Sequence, residues 1–309
     1  MKVNILLSTY NGERFLAEQI KSIQEQTYSD WTLLIRDDGS KDQTREIIQN
    51  FVTQDERIRF INADEVVNLG VIKSFYTLLH YEEADYYFFS DQDDIWLPDK
   101  LQTSLDQAQH YSNQEPLMIY MDLKVVNQDL EVMTESMIRT QSHHANTELV
   151  QELTENTVTG GVSMINHALA ELWTQTEDII MHDWYLALLA TAFGKLVYID
   201  QAGELYRQHT DNVLGARTLS KRVQKWIRPH ILFSIYWDLI KNSQKQAKYL
   251  LEMPLKAEDR ELIEAFITIM DKSFLDRIRT LKKYGLRKNK AFHTFVFSSL
   301  IITKFAYKE

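Results

Sequence analysis

The chain has 309 residues, 44% of them hydrophobic and 25% charged, which is enough for a sizeable core in one large domain or a medium domain with an appended piece. It contains no cysteine, which excludes disulfides, zinc–thiolate centres and cysteine nucleophiles. The net charge of −10 is unevenly spread, since residues 1–216 carry 14 Lys and Arg against 35 Asp and Glu, whereas residues 217–309 carry 20 against 9. Opposite balances in contiguous parts predict two bodies with different partners, and the acidic first part argues against nucleic acid as one of them. Residues 1–8 lack the basic start, long apolar core and small-residue cleavage pattern of an export signal, so export is not expected.

Residues 3–7 form an apolar run of strand type, and Phe15, Ile20 and Ile23 follow at helical spacing. Residues 31–35 repeat the strand signal and 45–51 the helix. Residues 58–61 read as a third strand, 71–79 as a third helix and 84–89 as a fourth strand. This alternation predicts a mostly parallel, Rossmann-like α/β sheet covered on both faces, with ligands at the carboxyl ends of its strands. The chain leaves three of those strands through polar loops: Ser8 to Gly12, Arg36 to Ser40, and Ser90 to Asp94. All three fall on the same edge of the expected sheet. Farther on, residues 117–123, 162–165, 196–199 and 204–207 suggest strands and 184–193 a helix. After Gly215 the pattern turns to long helical periodicity with few glycines, so a boundary is expected there, followed by a helical appendage over residues 219–309.

The third loop has the densest chemistry. Asp91, Asp93 and Asp94 repel one another, so an ordered loop carrying them needs a cation, strong donors or ample solvent, and a solvated acidic turn is the plain alternative. In an extended loop, residues two apart point the same way. Asp91 and Asp93 can therefore share one hard divalent cation, or one of them can hold a ribose hydroxyl.

The stretches LLSTYNGERFLAEQIKSIQEQT, IRDDGSKDQT and SDQDDIWLPDKL resemble glycosyltransferase family 2, whose fold is the nucleotide-sugar-binding GT-A type. The later HDWYLALLATAFG and YRQHTDN, with the SDQDDxW wording, resemble bacterial rhamnosyltransferases that build cell-wall or capsular rhamnose polysaccharides. The resemblance implies that residues 1–216 are the catalytic domain. It places Thr9, Tyr10 and Asn11 at the nucleotide base and ribose, and Asp38, with Asp37 as a second candidate, at a base N–H. It also implies that Asp91 contacts ribose and metal, with Asp93 the more direct ligand of Mg²⁺ or Mn²⁺. By the same resemblance Asp183 is the general base, although its residue type also suits the first turn of a helix, where the dipole favours an acid. Arg207 is assigned to the diphosphate and His209 to the metal shell, with a surface arginine and a loop histidine as the alternatives. Gly160, Gly161, His182 and Trp184 fall where relatives line the acceptor pocket.

The activity implied is metal-dependent, inverting transfer of L-rhamnose from dTDP-β-L-rhamnose to an undecaprenyl diphosphate-linked saccharide. A UDP-hexose donor on the same fold is the alternative. A non-catalytic nucleotide-binding subunit, or a receiver-like signalling domain suggested by Asp37 and Asp38 after a strand, is the reading from another class.

The tail adds a basic cluster at Lys221, Arg222, Lys225, Trp226 and Arg228. A second, from Lys282 to Lys290, precedes an aromatic stretch over residues 291–306 that is too short and interrupted to span a membrane. Such a segment suits an interfacial helix on anionic lipid, or helices packed on the catalytic domain or in a homodimer. A lipid-linked acceptor would make the first arrangement useful, placing the enzyme in the cytoplasm on the inner face of the plasma membrane.

Overall fold

The structure, a computed structural model, describes residues 1–209 and 229–307. Three strand-and-helix units come first: β1 (Val3–Thr9) with α1 (Leu16–Gln24), β2 (Thr32–Asp37) with α2 (Thr44–Gln54), and β3 (Ile58–Phe60) with α3 (Val71–Leu79). Then β4 (Tyr86–Ser90) runs alongside β1. These strands are nearly continuous apolar runs because helices cover both faces of the sheet, leaving no polar side to alternate with. Pairing is parallel throughout β3-β2-β1-β4, as the alternation predicts.

Beyond β4 the sheet becomes mixed. A two-residue strand β5 (Ile95–Trp96) and helix α4 (Lys100–Ala108) follow, then the long β6 (Leu117–Val126), and β7 (Val132–Thr134) folds back on it. Short helix α5 (Leu149–Glu152) leads to a 3-10 turn at Gly160–Val162, from which β8 (Ser163–Asn166) lies antiparallel between β4 and β6. The turn already sits at the edge where β4 ends, so the chain enters the sheet from that side without a crossover. Helices α6 (His167–Ala170) and α7 (His182–Phe193) precede β9 (Lys195–Arg207). The segments 196–199 and 204–207 are thus one strand. Exposed Asp200 and Gln201 interrupt its apolar pattern, opposite irregular pairing at Met121 to Leu123.

Helix α7 is apolar all round because it is buried all round, with Leu186, Leu188 and Leu189 fully inaccessible. The tail is the expected helical appendage: α8 (Pro229–Leu250), α9 (Ala257–Ile267), α10 (Phe274–Tyr284) and α11 (Ala291–Thr303). Trp237, Ile240, Phe266, Phe297 and Leu300 share one hydrophobic cluster with Tyr120, Trp184 and Leu188. Ser243 Oγ donates to the Leu153 carbonyl at 2.7 Å and Thr154 Oγ1 to that of Arg287 at 2.6 Å, which fastens the tail to the α5 region. Helix α11 has two faces, burying Phe297, Leu300 and Ile301 while Phe292 and Phe295 stay exposed. Among the described residues, no helix is long and apolar enough to cross a membrane. The cluster from Lys221 to Arg228 and the boundary at Gly215 lie outside the described residues.

Candidate active site

Strand register brings the three polar loops together. Thr9 pairs with Asp37 across β1 and β2, and Leu7 pairs with Ser90 across β1 and β4, so all three exits leave one edge side by side. Gln92 stitches the first loop to the third. Its Oε1 accepts from Thr9 Oγ1 at 2.6 Å and from the Tyr10 N–H at 2.8 Å, and its Nε2 donates to the Tyr10 carbonyl at 3.1 Å. Asn11, in the left-handed region at φ 48°, joins the first loop to the second: its N–H donates to Ser40 Oγ and its Oδ1 accepts from the Lys41 N–H. The exposed Tyr10 ring projects beside this junction.

The paired aspartates of the second loop are occupied from within. Asp37 accepts from the Ser40 N–H and hydroxyl and from Arg45 Nη1. The Asp38 carboxylate takes Arg36 Nη1 at 2.6 Å, the N–H groups of Leu69 and Gly70 at 2.7 and 2.9 Å, and Ser74 Oγ at 3.1 Å. Both carboxylates are buried and brace the loop and the start of α3. A base N–H at Asp38 has to compete with donors already in place.

The third loop has more acceptors than donors. The carboxylate of half-buried Asp91 accepts no hydrogen bond from the described residues, and burial, then the charges of Asp93, Glu204 and Asp183, push it up to about 8. Asp94 Oδ1 accepts from the Arg207 N–H at 2.9 Å, while its buried Oδ2 has no partner among the described residues. Burial, followed by Glu204 and Asp93, holds this carboxyl well above its ordinary range. Asp93 Oδ2 lies 2.6 Å from His209 Nε2.

Arg207 is a clamp: it donates to the Asp93 carbonyl at 2.9 Å, the Gln128 carbonyl at 2.7 Å and Glu18 Oε2 at 2.6 Å, with its guanidinium over the Phe15 ring. The diphosphate role expected of it is thus set against a side chain only 3% exposed, with Nε engaged on the loop that carries the aspartates and both Nη groups engaged elsewhere.

Asp183 stands in the first turn of α7, 9% exposed. The Gly160 N–H donates to its Oδ2 at 3.1 Å and the Trp184 N–H to its Oδ1 at 2.6 Å. Burial outweighs these donors and pushes the carboxyl up to about 7. His182 and Trp184, expected in the acceptor pocket, instead face the core. The His182 ring packs 4.2 Å from Phe75 and 5.0 Å from Phe89, and burial holds it neutral, pulled down to about 3. Trp184 is buried and donates Nε1–H to the Glu152 carbonyl at 2.7 Å. Gly160 and Gly161 are buried too, and a Cβ on Gly160 would come 2.8 Å from His182 Nε2.

Sequence reading missed two residues beneath the acidic loop. Lys100 and Glu204 form an ion pair at 3.1 Å with both side chains fully buried. A signal was present: Lys100 opens a helix, where the dipole disfavours a cation, and Glu204 interrupts an apolar strand.

Among the described residues, no group of three or more His, Asp or Glu side chains is arranged to hold a metal ion. The donor set still fits one: among the described residues the Asp91 carboxylate lacks a donor and that of Asp93 has only an imidazole, and a magnesium-like ion needs one or two carboxylates when phosphate oxygens complete its shell.

The family model for glycosyl transferase family 2 matches residues 4–171. The chain is 32% identical to the dTDP-rhamnosyl transferase RfbG of Shigella flexneri over 231 residues, spanning 71% of this chain and 77% of that protein. It is 34% identical over 103 residues to WfgD of Escherichia coli, a UDP-Glc:α-D-GlcNAc-diphosphoundecaprenol β-1,3-glucosyltransferase, covering 33% of this chain and 39% of that one. In structure it is similar to residues 1–349 of TarS from S. aureus, solved with UDP-GlcNAc, at a TM-score of 0.61 and 15% identity, over 92% of this chain and 80% of that 1–349 chain. It is also similar to the mannosyltransferase PcManGT from Pyrobaculum calidifontis, solved with GDP-Man and Mn²⁺, at a TM-score of 0.55 and 11% identity, over 99% and 88% of the two chains.

Proposed function

The chain belongs to glycosyl transferase family 2, and from that premise we propose that it is a metal-dependent, inverting rhamnosyltransferase with dTDP-β-L-rhamnose as donor and an undecaprenyl diphosphate-linked saccharide as acceptor. The observation that carries the reading is the placement of Asp183, a carboxylate poised near neutral pH by burial, close enough for its charge to act on Asp91 of the acidic loop. That pairs a base for the acceptor with a site for the donor's diphosphate.

The chemistry follows from these groups. Asp183 takes the proton of the acceptor hydroxyl as its oxygen bonds to the anomeric carbon. The bond from that carbon to the diphosphate breaks on the opposite face, and the electron pair leaves with the nucleotide, so one displacement inverts the centre. When bound, a divalent cation supplies charge stabilisation for the departing diphosphate. Asp93 and Asp91 would hold it, with His209 orienting Asp93. The loop of Thr9, Tyr10 and Asn11 covers the nucleoside, and Gln92 locks that loop to the acidic one. The dTDP donor is supported by the likeness to RfbG, which covers most of both chains.

A UDP-hexose donor is the second reading, supported by the likeness to WfgD over 103 residues. Calorimetric titration of the purified chain with dTDP and UDP, each with Mg²⁺, Mn²⁺ or EDTA, separates the two. Metal-dependent preference for dTDP is expected. Preference for UDP overturns the donor, and binding indifferent to EDTA overturns the metal dependence.

The location we propose is the cytoplasmic face of the membrane. It is supported by exposed Phe292 and Phe295 on α11, close in sequence to Lys282, Lys283 and Arg287.

A further inference from the structure

Beneath the acidic loop, the Lys100 ammonium donates to the Gly161 carbonyl and to Glu204 Oε2, and lies 3.6 Å from the centroid of the Trp96 ring. Two fully buried charges cost more desolvation than a well-packed apolar pair, so stability alone is a poor reason for them. The chain is nonetheless shaped around the pair. A Cβ on Gly161 would lie 2.8 Å from Glu204 Oε1. The same turn faces the other way through Gly160, whose N–H holds Asp183 Oδ2 at 3.1 Å. Lys100 is also the cation whose charge acts on Asp91, among the repelling carboxylates of Asp93, Glu204 and Asp183.

We infer that Lys100 is a positioning residue: together with Glu204 it fixes the Gly160–Gly161 turn, and through the Gly160 N–H it sets the Asp183 carboxylate against the donor loop. The inference rests on the reading of Asp183 as the base. Lys100 touches no substrate, and its effect is carried by one carbonyl and one N–H of a two-glycine turn. Because the ammonium and its partner carboxylate cancel, removing both leaves the local net charge unchanged and isolates the geometric role.

The test uses the full chain carrying Lys100→Met and Glu204→Met together, which exchanges the ion pair for apolar side chains of similar length. Nucleotide affinity is measured with dTDP and UDP in Mg²⁺. Turnover is measured with dTDP-rhamnose or UDP-glucose, whichever the parent chain consumes, with water or undecaprenyl diphosphate-linked GlcNAc as acceptor. We expect Kd within about twofold of the parent and kcat lower by about 10- to 100-fold, the scale of a base displaced by about an ångström. A kcat within about twofold of the parent, or a loss matched by an equal loss of nucleotide affinity, overturns the inference. If the double variant does not fold, Gly161→Ala displaces the same turn without removing charge and is held to the same outcomes. Asp183→Asn run in parallel separates the two readings. Parent-like turnover there removes the base, and the positioning role with it, whereas a loss there beside full turnover in the Lys100 variant removes the positioning role alone.

Discussion

In the proposed reaction Asp183 is the base, and its buried carboxyl, held by two backbone N–H groups, is pushed up to about 7. Replacing it by Asn should lower kcat by about 10²- to 10⁴-fold, the usual contribution of general base catalysis, with dTDP affinity unchanged. The parent's kcat should rise with pH through about 7, and equal rates in parent and variant would defeat the assignment. Stability moves the opposite way. The folded chain holds this proton more tightly than the unfolded one, so the contribution is complete below the ordinary value of 3.8 and is lost as pH rises through about 7. Asp183→Asn, which stays neutral, should therefore gain melting temperature relative to the parent between about pH 4 and about pH 7. A constant difference across that range would place the titration elsewhere.

Among the elements, the loops at the strand ends act as one unit because side chains of one saturate the backbone of another. Gln92 makes two such bonds, to both backbone polar groups of Tyr10, and a third to the Thr9 hydroxyl. Gln92→Ala should leave the fold intact but loosen the first loop and, on the proposed reading, weaken dTDP binding by about 5- to 30-fold, the equivalent of one or two lost hydrogen bonds. Unchanged affinity by titration would mean that the loop is held by its contacts with the second loop alone. The same logic gives Arg207 a bracing role. It ties β9 to the Asp93 carbonyl and to Glu18 of α1, so the acidic loop inherits the rigidity of the sheet.

Across the whole molecule, the basic tail and the acidic first part share one core. Phe297 of α11 is 1% exposed within the cluster that holds Trp184 and Leu188. Phe297→Ala should destabilise the chain by about 3–5 kcal/mol, read as a lower urea midpoint in a single cooperative transition. A separate transition for the tail would show two independent bodies. On the outer face of the same helix, Phe295→Asp should reduce co-sedimentation with vesicles of anionic lipid by severalfold without changing the melt, and equal binding would remove α11 from membrane docking. The first four strands, the three helices between them and the three polar exits were legible in the sequence, because periodicity and turn chemistry are local properties. So was the aspartate triplet, because its repulsion acts within a few residues. The closed ends of those carboxylates were not legible. That Asp38 is occupied by Leu69, Gly70 and Ser74, that His182 sits against Phe75 and Phe89, and that Lys100 reaches Glu204 104 residues away all depend on which strands lie side by side. The sequence by itself determined which chemical groups gather at one edge of the sheet. Only the tertiary structure decided which of them remain available to a ligand, because burial and long-range hydrogen bonds exist only once the register of the sheet is set.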